Sequence, residues 1–432
     1  MNFSVSRTAQ GMVQPSEQTP SGTLHLSFID RLPVLRCNAR TLHVFRHGHE
    51  AANIIREALS KALVPYYPLA GRLKESSQGE LQIACTGEGL WFVEASADCR
   101  VDAINYFDDI PSLAQHDKLL PDLPPEVNGL DPLVLMQVTQ FTCGGFVMGL
   151  IFCHSICDGL GAAQFLSAVG ELARGLNHPS ITPVWCREAV TTKAPQVHET
   201  GKANPPPQPT LPSLPDYQLE YASIDITPDQ INQLKHEFQE STGRTCSTFE
   251  VVAASMWSCR TRAIDLDRDA KVTLVFFANA RQLLCPPLPQ GFYGNCFFPV
   301  TTTVSSEEVS QASHAEVVKL IQESKSMLPI EFTKWINGDY VGDVNPFAEP
   351  LAYTTLFISE WGRLGFNQVD YGWGPPIHMI PIQGSSIIPV AIVGTPPNPK
   401  RGIRLMTWSV KKAHLQSFID QMMNLDQNQL TS

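Results

Sequence analysis

A proline-rich stretch near the middle of this chain limits what it can fold into. Seven prolines fall between positions 195 and 215 with few apolar residues among them. Proline fixes φ and has no backbone N–H, so a segment this rich in proline forms neither a helix nor a central strand. We therefore interpret residues 194–216 as a crossover linker between a first domain, residues 1–193, and a second domain, residues 217–432.

Length and composition agree with two globular domains. At 432 residues the chain exceeds the size at which a single core usually stops growing. Only 17% of the residues are charged, which indicates a large buried fraction. The formal net charge of -11 argues against nucleic acid as a partner, because phosphate binding needs a concentrated basic surface. An anionic cofactor remains compatible, since a few arginines can act within one cleft.

The sequence carries no signal for secretion or for a membrane. The first residues lack the apolar core of a signal peptide, and no run reaches the ~18 apolar residues that a membrane span needs. The 11 cysteines show no disulfide framework. We expect free thiols and a cytosolic enzyme that binds no membrane.

Helical and extended patterns alternate in both halves. Residues 247–250 (Ser-Thr-Phe-Glu) have the capping-box pattern of a helix start. Together these patterns predict an α/β fold with mixed sheets flanked by helices in two domains of similar size. The individual predictions are helices over residues 53–63 and 161–174, a helix starting at Ser247, and strands over residues 133–141, 146–153 and 271–278.

His154 follows the apolar strand of residues 146–153 and precedes a glycine-rich turn. A strand end fixes the origin of a side chain and the turn opens it to a cleft, as at many catalytic positions, although such a histidine is often structural. A metal site with Cys153, Cys157 and Asp158 is one alternative, but structural zinc usually needs two spaced ligand pairs, and we expect no metal. A Cys157 nucleophile activated by His154 is another, and no third orienting group supports it.

Two motifs, one in each half, together resemble the plant BAHD acyltransferases. The segment from His154 to Asp158 and Gly159 resembles the family's His-x-x-x-Asp motif and, more distantly, chloramphenicol acetyltransferase and peptide-synthetase condensation domains. Residues 370–374 (Asp-Tyr-Gly-Trp-Gly) resemble the Asp-Phe-Gly-Trp-Gly signature, with Tyr371 replacing Phe. Residues 26–30, 66–73 and 292–295 resemble further family segments in the same order.

This resemblance implies a chloramphenicol acetyltransferase-like fold with the active site in a channel between two acyltransferase domains. The first domain would carry His154 and the second the motif of residues 370–374. It implies that the acyl group passes from acyl-CoA, a co-substrate and not a resident cofactor, to a hydroxyl or amine, without metal or acyl-enzyme. His154 would be the general base, a contribution typically worth ~10²–10⁴-fold in rate.

The resemblance also implies roles for residues around the base. Asp158 would hold the turn that presents the histidine. Asp370 would pair with Arg281, which follows the strand predicted over residues 271–278. Gly372 and Gly374 would support the second motif, and all these residues would be structural.

Two further groups of residues have both a functional and a purely structural interpretation. Trp373 is a candidate donor to the oxyanion of the tetrahedral intermediate, because its indole carries one N–H. The alternative is that Trp373 only packs between neighbouring backbone segments, for which the adjacent glycines leave room. Ser247 and Thr248 are candidate CoA contacts, because a helix N-terminus presents free N–H groups. Their alternative is ordinary capping.

Several stretches narrow the resemblance to one branch of the family. Residues 85–89 and 152–162 look like the taxane acyltransferases, whereas residues 292–299, 357–361 and 370–376 look like the grass p-coumaroyl-CoA:monolignol transferases. The branch implies a hydroxycinnamoyl or benzoyl donor and a hydroxyl acceptor of plant secondary metabolism. The alternatives are amide formation with a small amine, alcohol acetylation from acetyl-CoA, hydrolysis of acyl-CoA, and an inactive ligand-binding protein. We expect a monomer.

Overall fold

The computed structural model describes residues 3–108, 116–124, 132–191, 217–340, 345–348, 351–382 and 387–425. The predicted linker, residues 194–216, lies outside these ranges. The division of the chain at that linker therefore stays a prediction.

The strands and helices of the described residues alternate along the chain. The strands are β1 Val5–Val13, β2 Gly22–His25, β3 Asn38–Phe45, β4 Arg72–Glu75, β5 Leu81–Cys85, β6 Leu90–Ala97, β7 Val134–Gln140, β8 Phe146–Cys153, β9 Glu220–Ile226, β10 Lys271–Asn279, β11 Phe297–Ser305, β12 Thr355–Glu360, β13 His378–Ile382, β14 Val390–Gly394 and β15 Ile403–Val410. The α-helices are α1 Ala51–Ala62, α2 Gly159–Ala173, α3 Pro228–Thr242, α4 Thr248–Ile264, α5 Ser306–Gln311, α6 His314–Ser326, α7 Leu328–Asn337 and α8 Lys412–Met423. Short 3-10 helices cover Pro33–Leu35, Tyr67–Ala70, Asp102–Phe107, Asp117–Leu119, Arg187–Ala189 and Phe366–Gln368.

Two six-stranded mixed sheets organise these elements. The first has the order β1-β6-β7-β8-β3-β13 and the second the order β11-β10-β12-β14-β15-β9, while β2, β5 and β4 form a small third sheet. Neighbouring strands run parallel at β6–β7, β10–β12 and β12–β14, and the other pairs are antiparallel. β13 belongs to the second half of the chain and pairs with β3, so it completes the sheet of the first half.

Each large sheet carries its own helical layer. α1 and α2 pack on the first sheet and form one hydrophobic cluster with it. α3, α4, α6 and α8 pack on the second sheet and form another. β8 is buried along its whole length, which explains why its sequence is almost purely apolar. In the part of the chain that the structure describes, no helix is both long and apolar enough to cross a membrane.

The elements predicted from the sequence are confirmed. α2 begins slightly earlier than predicted because the side chain of Asp158 caps it and accepts a hydrogen bond from the backbone N–H of Gly161. The capping box at the start of α4 is present, with Ser247 and Glu250 exchanging hydrogen bonds. The α/β class with two similar sheet-and-helix units is confirmed as well.

Candidate active site

A cavity of about 600 Å³ lies where the two large sheets face each other. Residues two apart on a strand point to the same face of the sheet. One face of the first sheet lines the cavity, whereas the second sheet contributes four consecutive residues of β12, 357–360, beside residues of its other strands. The residues from the first sheet and its strand end are Ala39, Thr41, Leu150, Phe152 and His154, and those from the second sheet are Phe277, Asn279, Phe297, Phe357, Ile358, Ser359, Glu360 and Val390.

His154 stands directly after β8 and lines this cavity. Its backbone is fixed on both sides, because its N–H donates to Cys37 O at 2.9 Å and its carbonyl accepts from Asn295 Nδ2 at 2.8 Å. The ring lies 6.5 Å from that of Phe297, centroid to centroid. Nδ1 is buried and makes no hydrogen bond to the residues that the structure describes, which leaves Nε2 as the nitrogen that a substrate can reach.

Asp158 ties three separate segments together. Its Oδ1 accepts from Gly161 N at 3.0 Å and from Arg281 Nη2 at 2.8 Å, and its Oδ2 accepts from Cys296 N at 3.2 Å. Burial alone would lower the pKa of Arg281, but the Asp158 carboxylate outweighs it and the pKa is raised. These contacts hold the turn after His154 against the second half of the chain, and the supporting role of Asp158 in catalysis stays a prediction.

The prediction that Arg281 pairs with Asp370 is wrong. The Arg281 guanidinium bonds Asp158, and it also donates to Gly294 O at 2.7 Å. The Asp370 carboxylate accepts from the N–H groups of Gly372 at 2.7 Å and Gly374 at 2.8 Å. Asp370 therefore closes its own loop, in which both glycines adopt positive φ angles of 113° and 88°.

The second motif lies at the opposite end of α2 from His154. Gly170, near the C-terminal end of α2, approaches the Asp370 backbone so closely that a Cβ would lie 2.5 Å from its carbonyl oxygen. Trp373 packs edge-on against Phe146 at 5.8 Å. Phe146 and His154 lie at opposite ends of β8, roughly 25 Å apart along the strand. This placement does not fit the predicted oxyanion role of Trp373, and it fits the packing alternative.

A buried polar network supports the backbone around His154. Asp30 is fully buried and accepts from Asn295 N at 3.1 Å and Asn295 Nδ2 at 2.7 Å. Arg187 Nε lies 3.2 Å from Asp30 Oδ2, and Arg187 Nη2 donates to Ile156 O at 2.7 Å. Asp30 and Asn295 belong to segments that carried the family resemblance, whereas no sequence pattern singled out Arg187.

The cysteines beside His154 are unsuited to nucleophilic attack. Cys157 is buried, and burial raises the pKa of its thiol well above the ordinary value. Burial likewise raises the pKa of the Cys153 thiol to about 11. Both thiols therefore stay protonated near neutral pH, whereas the thiolate is the reactive form.

Ser247 and Thr248 lie away from this cavity, beside an open groove of about 620 Å³. The Ser247 hydroxyl accepts from Glu250 N, so it caps α4, and the Thr248 hydroxyl accepts from Lys235 Nζ at 2.8 Å. The groove is lined by Gly243, Arg244, Thr245, Glu250, Gln322, Lys325 and Ser326.

Two polar pairs at the cavity were not found from the sequence; of their members, Thr41, Ser359 and Trp361 line the cavity, and His43 is buried outside its lining. Thr41 Oγ1 lies 3.0 Å from His43 Nε2, and Trp361 Nε1 donates to Ser359 Oγ at 2.9 Å. The two members of each pair are two positions apart in the sequence, along a strand or at its end. The alternation of side chains along a strand would therefore have placed both members on one face of the sheet. Recognising which face lines a cavity requires the tertiary structure.

Two facing sheets that enclose a cavity beside a strand-end histidine are the arrangement expected of the chloramphenicol acetyltransferase-like fold. A comparison with known families identifies the family. The Transferase family matches residues 3–425, so the chain belongs to that family, the plant BAHD acyltransferases, and is an acyl-CoA-dependent acyltransferase.

Relatives of this chain match along most of their length. Acyl transferase 4 of Oryza sativa subsp. japonica is 44% identical, with 99% of this chain and 100% of the relative covered. A myricetin 3-O-glucosyl 1,2-rhamnoside 6'-O-caffeoyltransferase of Crocosmia x crocosmiiflora is 40% identical, with 98% and 99% covered. The 3'-N-debenzoyl-2'-deoxytaxol N-benzoyltransferase of Taxus canadensis is 36% identical, with 88% and 86% covered.

Solved structures show the same fold. The crystal structure of vinorine synthase superposes with a TM-score of 0.74 at 20% identity, and 98% of each chain is covered. This similarity supports the arrangement of two facing sheets described above.

Proposed function

We propose that this acyltransferase moves a hydroxycinnamoyl group from its CoA thioester to a hydroxyl of a small acceptor in plant specialised metabolism, with His154 as general base. The observation that carries the proposal is the position of His154, whose backbone is held on both sides while its ring lines the cavity. Relatives named for caffeoyl and benzoyl transfer support an aromatic acyl donor.

The proposed reaction uses His154 Nε2 twice. The neutral ring carries its hydrogen on Nδ1, and Nε2 accepts the proton of the acceptor hydroxyl as its oxygen attacks the thioester carbonyl. The tetrahedral intermediate then expels the CoA thiolate, which takes the proton back from Nε2. An ester and free CoA result, and the histidine returns to its starting state.

Ser359 replaces Trp373 as the proposed donor to the oxyanion. The Ser359 hydroxyl accepts the indole hydrogen of Trp361, and both residues line the cavity. Because that contact occupies an oxygen lone pair, the hydroxyl hydrogen remains available to donate. A fixed donor that faces the developing negative charge is an effective form of transition-state stabilisation.

The contact between Thr41 and His43 supports a donor whose acyl group carries a hydroxyl on its aromatic ring. Burial lowers the pKa of His43 to about 3, so its ring is neutral and holds one N–H. His43 Nδ1 is buried without a hydrogen-bond partner in the described ranges. Whichever of the two side chains donates in the contact between Thr41 and His43, the Thr41 hydroxyl keeps a hydrogen or a lone pair for a ligand. A phenol oxygen can bond either one, because it both donates and accepts.

The position of Thr41 matches the far end of a hydroxycinnamoyl group. Thr41 pairs across the sheet with Leu150, four residues before His154 and therefore about 13 Å along β8. Phe152 and Phe366 line the cavity as well and provide apolar ring contacts. An acetyl group would leave this region empty, and a benzoyl group offers no ring oxygen to Thr41.

The phosphates of CoA are proposed to bind in the groove beside Ser247 and Thr248. The start of α4 directs backbone N–H groups toward this region, which favours an anion. Arg244 lines the groove, is exposed, and makes no ion pair with the residues that the structure describes. Lys325 adds a second cation, although Glu250 pairs with it at 2.7 Å.

The prediction that the protein acts as a monomer is part of this proposal. Its location in the cytosol is part of the same proposal and rests on the sequence.

A donor-by-acceptor screen that follows release of free CoA tests the proposal. The donors are p-coumaroyl-, cinnamoyl-, benzoyl- and acetyl-CoA, and the acceptors are alcohols and amines. We expect ester formation from p-coumaroyl-CoA and a loss of ~10²–10⁴-fold in kcat for His154→Ala. His47→Ala, at an exposed histidine, is the matched control and should match the wild type. Equal rates for His154→Ala and the wild type would disprove the general-base role.

Variants of Thr41 test the choice of donor. Thr41→Val keeps the shape of the side chain but removes the hydroxyl, so the preference for p-coumaroyl- over cinnamoyl-CoA should fall on the order of tenfold. Thr41→Ser keeps the hydroxyl and should retain the preference. A preference for p-coumaroyl-CoA that survives Thr41→Val would show that the ring oxygen binds elsewhere. In the donor-by-acceptor screen, amide products would favour the alternative in which the acceptor is an amine.

A further inference from the structure

Two cysteines lie at the end of the first sheet that is opposite His154. Cys99 follows β6, and Cys143 lies in the turn between β7 and β8. From this turn β8 runs to Cys153, directly before His154. The thiols of Cys99 and Cys143 are both free, and both side chains are partly exposed. Neither cysteine lines the cavity around His154, so neither has a part in the proposed reaction.

The register of the strands places these two cysteines opposite each other. β6 and β7 run parallel, and their pairing ends with Ser96 opposite Gln140. The third residue after each of these is a cysteine, so the same register brings Cys99 opposite Cys143. The backbones stay connected there, because Thr142 N donates to Cys99 O at 3.0 Å. Neighbouring strands are about 4.8 Å apart, and a disulfide usually joins Cα atoms that are roughly 4.4–6.8 Å apart.

The two side chains also share one face of the sheet. Side chains alternate between the faces along a strand, so residues two positions apart point the same way. Cys99 and Cys143 pack on one hydrophobic cluster that contains Ala97 and Phe141, each two positions earlier in the chain. In addition, the Cys143 sulfur accepts a hydrogen bond from Val101 N at 3.4 Å, just past Cys99. The two sulfurs can therefore meet without a change in the sheet.

The two thiols differ in their surroundings. Burial, the Asp98 carboxylate and the neighbouring Cys143 all raise the pKa of the Cys99 thiol. Cys99 therefore stays protonated near neutral pH, whereas the thiolate is the form that attacks a disulfide. Cys143 is accordingly the thiol that reacts first with an oxidant, and Cys99 is the thiol that reacts second.

We infer that Cys99 and Cys143 form a reversible disulfide when they are exposed to oxidised glutathione. The Cys143 thiolate attacks one sulfur of oxidised glutathione and forms a mixed disulfide, while one glutathione leaves as its thiolate. The Cys99 thiol then loses its proton and attacks the Cys143 sulfur, which releases the second glutathione. Two protein thiols are thereby oxidised, and one glutathione disulfide is reduced to two thiols. In a reducing compartment a pair of this kind is transient and responds to oxidants.

The disulfide would brace the first sheet and leave the chemistry at His154 unchanged. It would join the end of β6 to the turn before β8 and close a loop that contains β7. A cross-link across a long loop stabilises a fold because it restricts the unfolded chain. The inference does not depend on the proposed function, because neither the donor nor the acceptor enters it.

Mass spectrometry of the native protein tests the pair. The full chain is incubated with oxidised glutathione below its melting temperature, free thiols are blocked with iodoacetamide, and the protein is digested without reductant. We expect two peptides joined through Cys99 and Cys143, which dithiothreitol separates. In Cys99→Ser, glutathione should stay attached to Cys143, because no second thiol displaces it. Cys285→Ser is the matched control, since Cys285 is exposed in the second half of the chain, and it should give the same joined peptides as the wild type.

The outcome that would overturn the inference is a wild type in which Cys99 and Cys143 stay unlinked to each other. This holds whether the two thiols remain free, retain glutathione or join other cysteines. The result is the same whether or not any donor and acceptor react, so failure of the pair and failure of the proposed function are distinguishable.

Thermal unfolding provides a second measurement. Oxidation should raise the melting temperature of the wild type by about 3–8 °C, and dithiothreitol should reverse the rise. Cys99→Ser and Cys143→Ser should show no rise, and their melting temperatures in dithiothreitol check that both variants fold. An equal rise in either variant would show that other cysteines stabilise the oxidised protein and would contradict the brace.

Discussion

Asp158 accepts hydrogen bonds from the N-terminus of α2, from the Arg281 side chain and from the backbone of Cys296. Its side chain and that of Arg281 are each only 11% exposed. A carboxylate in this position stabilises the fold in two ways, because it caps a helix and neutralises a buried cation. It contacts no substrate in the proposed reaction, and its hydrogen bonds fix the turn that follows His154.

Replacing Asp158 with Ala should lower the free energy of unfolding by about 3–5 kcal/mol, because Arg281 would be left buried without its partner and α2 without its cap. Asp158→Asn keeps a side-chain oxygen for Gly161 and should be less destabilising. Urea denaturation measures both. Asp122→Ala is the control, since its ion pair with Arg7 is exposed and should contribute less than about 1 kcal/mol. Equal losses for Asp158→Ala and Asp122→Ala would contradict this account.

The residues that surround the cavity could be predicted from the sequence, but the ion-pair partners of these residues could not. His154, Asp158 and Arg281 all lie around the cavity, as expected. The predicted partner of Arg281 was wrong because ion pairing depends on which loops the fold brings together, and α2 separates Asp370 from that region. The capping box at Ser247 was predictable because both of its hydrogen bonds join residues three positions apart.

At the scale of the element, α2 links the two motifs, because one lies at its N-terminus and the other packs near its C-terminus. Its packing depends on close backbone contact with the second half of the chain. A Cβ on Gly161 would lie 1.9 Å from Tyr293 O, and neither backbone can move without disturbing the turn after His154. Alternation and helical spacing predicted the helix itself, whereas this contact between distant segments left no local pattern.

Gly161→Ala should therefore destabilise the protein by about 1–3 kcal/mol, although alanine favours helices in isolation. The expected readouts are a lower melting temperature and reduced CoA release, since the displaced backbone carries Asp158 and its turn. Gly11→Ala provides the comparison, because a Cβ at Gly11 meets nothing within 4 Å. A Gly161→Ala protein as stable as the wild type would show that α2 can shift without loss.

At the scale of the whole molecule, β13 joins the second half of the chain to the sheet of the first. His378 at the start of β13 is buried, and its Nδ1 lies 3.2 Å from Tyr106 O. Burial lowers the pKa of His378 to about 4, and burial lowers that of His43 on the neighbouring strand to about 3. Both rings are therefore neutral in the folded protein, whereas an unfolded histidine titrates near 6.5.

Because the unfolded chain binds these protons first, the free energy of unfolding should fall as the pH drops from about 6.5 toward 4. Each histidine adds a slope of up to about 1.4 kcal/mol per pH unit within that range. Urea denaturation between pH 7 and pH 5 should show a smaller slope for His378→Gln than for the wild type. His236→Gln, at a side chain that is 70% exposed, should leave the slope unchanged. Identical slopes in all three proteins would contradict the assignment.

The pairing of Val44 with His378 also bears on how the chain is made. As synthesis on a ribosome proceeds from the N-terminus, β3 emerges early and its neighbour β13 only near the end. Until then the outer edge of β3 presents unpaired backbone groups, which can recruit strands from other nascent chains. The nascent protein therefore passes through a long interval in which a chaperone that shields this edge would raise the yield of active enzyme.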